Sequence, residues 1–134
     1  MIFTIINSII FTILGGLHIY WAVGGKVGLI GAVPEIKNES IFQSKGFIFA
    51  TLVIAAGLLA CAIMHWQVLN GAAWFQGIGF LVLTVLFTLR AIGDFNYVGF
   101  FKKKKGTLFA QRDTTIYIPL CLFIAFNAMM TYLG

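Results

Sequence analysis

The sequence predicts an all-α integral membrane protein, an antiparallel bundle of four helices. Three observations predict it. The 134 residues are 60% hydrophobic and 10% charged, whereas a soluble domain carries about 25% charged residues. The apolar residues gather into four stretches, each near the length of roughly 20 residues that crosses a hydrocarbon core as a helix. The charges gather into two of the three gaps between them. A β-barrel is the other spanning solution and needs polar–apolar alternation. Runs such as Phe80-Leu81-Val82-Leu83 do not alternate.

The first span is expected over residues 2–23. It lacks a basic leader, and its apolar run exceeds that of a signal peptide, so it reads as a retained helix. Gly24-Gly25 stops it, and Pro34 forbids a continuation. Between them, Val27 to Val33 is apolar and glycine-interrupted; it reads either as a lid lying along the interface or as a plain tether. The second span is expected over 46–66, the third over 72–92 and the fourth over 114–133. Short connections make this a single domain, 1–134, without repeat or linker.

The gap after the first span carries Lys26, Lys37 and Lys45, and the gap after the third carries Lys102 to Lys105 and Arg112. The middle gap, Gln67 to Gly71, is uncharged. Lys and Arg near span ends mark the cytoplasmic side. Both termini are therefore expected outside. The net charge of +5 fits cytoplasmic loops facing anionic lipid better than nucleic acid. The Lys102 to Lys105 run reads first as a topological anchor.

At 1.5 Å rise per residue, His18 and Arg90 lie about 24 and 27 Å along their helices, near the lysine-bearing face. Asp94 falls one turn beyond Arg90, on the same side if that helix continues. Asp113 and Tyr117 open the fourth helix from that face, and Tyr20 and Trp21 close the first. His18, Trp21, Arg90, Asp94, Asn96, Tyr97, Asp113 and Tyr117 thus share one layer, and no other level reads as equally polar. An ionisable group at such a depth is a functional-site hypothesis; structural pairing of Arg90 with Asp94 or Asp113 is the competing reading. Arg90 suits a phosphate or carboxylate. His18 is the candidate for hydrogen bonding or proton exchange, Asp94 or Asp113 would orient it, and the aromatic groups would wall an amphiphilic ligand.

Other chemistries are set aside. His18 and His65 lie about 25 Å apart by helix rise, too far to share a metal. Cys61 and Cys121 differ in depth and form no CxxC motif. No nucleophile elbow, zinc-protease or phosphate-loop motif occurs. Neither a metal nor a cofactor is expected. Asn7 and Asn127 should meet in the outer half and bond the first helix to the fourth. Gly46, Ala50, Ala56 and Ala60 form a small-residue stripe for close packing. Any small-residue face left free would serve a homodimer or a membrane-protein partner.

His18-x-x-Trp21-Ala22-x-Gly24-Gly25, Pro34, Arg90-x-x-Gly93-Asp94-Phe95 and Phe109-Ala110-x-x-Asp113-x-x-x-Tyr117-x-Pro119-x-Cys121 occur in that order. Together they resemble the small bacterial membrane proteins grouped as domain of unknown function 3995. The resemblance runs from the first helix into the fourth. It implies a four-helix protein of the bacterial cytoplasmic (inner) membrane and implies no activity. The functional expectation is a polar pocket at the cytoplasmic end for a lipid-like or small anionic ligand, formed by His18, Trp21, Arg90, Asp94, Tyr97, Asp113 and Tyr117. A non-catalytic accessory subunit is the alternative, and a proton-coupled carrier ranks last.

Overall fold

The computed structural model describes residues 1–33, 39–71, 77–95 and 98–134. Pro34, Asn96, Tyr97 and the expected opening of the third span lie outside them. The described residues hold four principal helices and no strand. They are α1 (Ile2–Ala22), α2 (Lys45–Leu69), α3 (Ile78–Ile92) and α4 (Leu108–Leu133). α1, α2 and α4 are long and apolar enough to cross a membrane; the described part of α3 is apolar but shorter. α1 packs along α2, α3 along α4, and α1 against α4. Contacts between the start of one helix and the end of the next make each of these pairs antiparallel, as expected.

Two hydroxyl caps set the starts. Ser44 accepts the Phe47 amide at 3.2 Å ahead of α2, and Thr107 accepts the Ala110 amide at 3.1 Å ahead of α4. Each satisfies a backbone donor that lacks an intrahelical partner. α4 therefore begins six residues before the expected position 114, and Asp113 lies within it rather than opening it. The helix carries a π-turn over Asp113–Tyr117 just ahead of Pro119. Proline removes a ladder donor and crowds the preceding turn, and a π-turn is one way a helix absorbs that fault without breaking.

The core is sparse, as suits helices whose outer faces are apolar. Phe11, Phe80, Ile124 and Ala128 are fully buried at its centre. Association between apolar helices in lipid rests on close packing rather than on hydrophobic burial. The close approach is at Gly15, where an added Cβ would stand 2.7 Å from Leu59 Cδ2. α2 meets α1 through Thr51, Ala55, Ala62 and His65, while Gly46, Ala50, Ala56 and Ala60 are all exposed. The small-residue stripe is thus on the outer face of α2, not in the bundle. Sequence alone could not phase a helix that is apolar all round.

Candidate functional site

α3 ends at Ile92 because Gly93 takes φ +86 and turns the chain. The next residues fold back tightly. The Asp94 amide donates to the Val98 carbonyl (3.1 Å), and the Phe100 amide donates to the Ala91 carbonyl (2.7 Å). Phe95, at φ +66, is the one non-glycine residue with positive φ among those described. Asp94 is consequently exposed and accepts the Val98 amide at 3.0 Å. It does not continue on Arg90's face, because the helix that would carry it there has stopped. A Cβ on Gly93 would collide with the Val98 carbonyl. Gly93→Ala should therefore open this turn, detectable as a lowered thermal midpoint and proteolysis between residues 93 and 100.

The turn delivers two groups to Asp113, which is completely buried. Asp113 Oδ2 accepts the Gly99 amide at 2.8 Å and lies 3.3 Å from Lys102 Nζ. Asp113 Oδ1 accepts from Arg90 Nη2 at 3.1 Å. Lys102 Nζ also donates to Thr114 Oγ1 at 2.6 Å and to the Gly99 carbonyl at 3.2 Å. The Lys102 side chain is 3% exposed and that of Arg90 32%. Two cations thus share one carboxylate. Arg90 Nη1 is buried and has no hydrogen-bond partner among the described residues.

The remaining sequence-predicted groups hold the neighbouring loop instead. Trp21 Nε1 donates to the Val27 carbonyl at 2.8 Å, and Tyr117 donates its hydroxyl to the Gly31 carbonyl at 2.8 Å. Leu29 between them is buried. Residues 24–33 are thereby folded back onto the helix ends, which favours the lid over the tether. His18 Nδ1 bonds the Leu14 carbonyl at 2.7 Å, and its ring stands edge-on to Trp21 with centroids 5.0 Å apart. None of the hydrogen bonds or ion pairs of Arg90 or Asp113 involves His18. The layer therefore resolves into an ion cluster on α3 and α4 and a separate aromatic corner on α1. Beside that corner is a hollow of ≈ 220 Å³ lined by Trp21, Lys26, Ser40 and Gln43 among others. Arg90 and Asp113 are joined by an ion pair and His18 and Trp21 by ring contact; Tyr97 lies outside the described residues.

Lys102 was legible only as one of four consecutive lysines. Nothing in that run distinguishes the residue that turns inward; the Gly99 turn decides it.

A second polar level, toward the termini, is more extensive than the expected Asn7–Asn127 link. Asn7, His65 and Asn127 are completely buried where α1, α2 and α4 meet. His65 Nδ1 bonds the Cys61 carbonyl at 2.7 Å, which leaves Nε2 to accept from Asn7 Nδ2 at 3.4 Å. Asn7 Nδ2 also donates to the Ile124 carbonyl at 3.1 Å, and Asn7 Oδ1 accepts from Asn127 at 3.1 Å. The expected link between Asn7 and Asn127 is present, with His65 as an added partner from α2. Thr4 and Thr131 pair at 3.2 Å nearer the chain ends.

Comparison with known proteins places the chain. No curated protein and no solved structure matches it. The sequence model of one family, described as a protein of unknown function (DUF3995), matches residues 11–128. That stretch contains α1 from Phe11 onward, the ion cluster, the aromatic corner, and His65 and Asn127 of the seam; Asn7 precedes it. The chain belongs to the DUF3995 family.

Proposed function

We propose that this is a small polytopic inner-membrane protein that holds an anionic group, from a lipid or a small molecule, at its lysine-bearing end. The observation that carries the reading is the imbalance at Asp113. Arg90 and Lys102 exceed the carboxylate by one charge, and Arg90 Nη1 is buried without an acceptor. A buried donor left unsatisfied costs about 1–3 kcal/mol, more when charged, and a phosphate or carboxylate oxygen would satisfy it. Asp113 fixes the guanidinium, and Tyr117, one turn along the same helix, ties the folded-back loop beside it. His18 stands beside Trp21 at the edge of the aromatic corner, where a hydrogen-bonding role is assigned to it. No reaction is proposed. The lysine-rich end would face the cytoplasm, with both termini outside.

Native mass spectrometry from nanodiscs containing phosphatidylglycerol and phosphatidylcholine tests this. Wild-type protein should retain phosphatidylglycerol, and Arg90→Gln should retain roughly tenfold less, as expected for one charge-assisted bond. Equal retention by both would sink the proposal.

One observation favours a second reading. The Gly46, Ala50, Ala56 and Ala60 stripe is exposed along α2, and such stripes let helices approach closely. An accessory role would use this face for a second copy or another membrane protein, with the Asp113 cluster as internal bracing. The same spectra would then show a dimer or partner mass and no lipid dependence on Arg90.

A further inference from the structure

The structure assigns a second binding site, at the terminal end of the bundle, for the chain of a membrane amphiphile that carries a hydroxyl donor. α2 and α3 diverge and leave a groove of ≈ 510 Å³ between them, within the size range of small-molecule sites. Its walls include Ala60, Met64 and Gln67 from α2 and Gly79, Val82 and Leu83 from α3. Gly79 admits Met64 to the floor; an added Cβ there would stand 2.9 Å from Met64 Sδ. Among the described residues every wall residue is apolar except Gln67, whose Oε1 is buried and has no hydrogen-bond partner there.

The groove is polarised along the membrane normal. Gln67 lies two residues from the end of α2, at headgroup depth, and Ala60 is about 10 Å deeper by helix rise. An ordinary acyl chain fills the apolar length but leaves the Gln67 oxygen unmatched. An amphiphile with a hydroxyl at its head and a linear chain below fills both. This site is independent of Arg90, which is at the other end of α3.

The test is photolabelling in phosphatidylcholine nanodiscs with a diazirine-bearing hexadecanol and with its methyl ether, which has the same chain and no donor. The alcohol should label Ala60 to Gln67 of α2 and Gly79 to Leu83 of α3 roughly tenfold more than the ether, the factor expected for one hydrogen bond in an apolar site. Gln67→Leu should equalise the two probes, and it removes no side-chain hydrogen bond seen among the described residues. Ala60→Phe fills the groove from an exposed position and should suppress labelling by both. Equal labelling of wild type by alcohol and ether overturns the proposal. So does an alcohol preference that survives Gln67→Leu, or labelling indifferent to Ala60→Phe. Arg90→Gln should leave the pattern unchanged, which separates this outcome from loss of the anionic site.

Discussion

Replacing Asp113 by alanine should cost about 3–5 kcal/mol of stability, the range for breaking a buried ion pair by removing one partner. The reason is Lys102 rather than Arg90. The Arg90 side chain is about one-third exposed, and water screens much of what it loses. The Lys102 ammonium is almost wholly buried and retains only the Thr114 hydroxyl and Gly99 carbonyl. The Gly99 amide loses its acceptor as well. An SDS-titration midpoint in mixed micelles would read the change. Adding Lys102→Met to Asp113→Ala should recover more than half of it, because the unpaired buried charge is then gone. If the double variant is no better than the single one, the buried ammonium is not the source of the loss.

Asn7→Ala should cost about 2 kcal/mol, well above the mean of roughly 0.6 kcal/mol for an interhelical hydrogen bond in a membrane protein. Two effects compete here. A helix separated in the bilayer finds other partners for its polar groups, which lowers the penalty. Against this, Asn7 is the hub of the seam: its loss strands His65 Nε2 and Asn127 Nδ2 together. Each stranded group costs about 1–3 kcal/mol when no water reaches it, and both side chains are fully buried. Thr4→Val, at the edge of the same seam, is the control and should cost a few tenths of a kcal/mol. An Asn7→Ala loss no larger than that of Thr4→Val would show that α1, α2 and α4 are held by packing alone.

These two polar centres sit at opposite ends of the bundle and join different helices. The Asn–His–Asn seam ties both hairpins together near the chain ends. The Asp113 cluster ties α3 to α4 and fixes the loop between them. What lies between is apolar packing with few large buried side chains. The groove between α2 and α3 lies at the level of the seam, on the side that the seam, which joins α1, α2 and α4, does not close.

The sequence by itself determined the helical class, the four apolar segments and the end of the bundle at which charge collects. These follow from one-dimensional quantities: length against bilayer thickness, and depth from helix rise. Depth also placed Asn7 level with Asn127, and Arg90 level with Asp113. The tertiary structure decided everything that depends on direction around a helix axis. An all-round apolar helix has no polar face to phase it, so the outward stripe of α2 and the inward turn of His65 were illegible. Asp94 was assigned to Arg90's side on the assumption of a continuing helix, and a single left-handed glycine turned it away. The same turn chose Lys102 from four identical neighbours. Level is set by residue count, but convergence is set by where helices stop and how they rotate, and those depend on contacts distant in the chain.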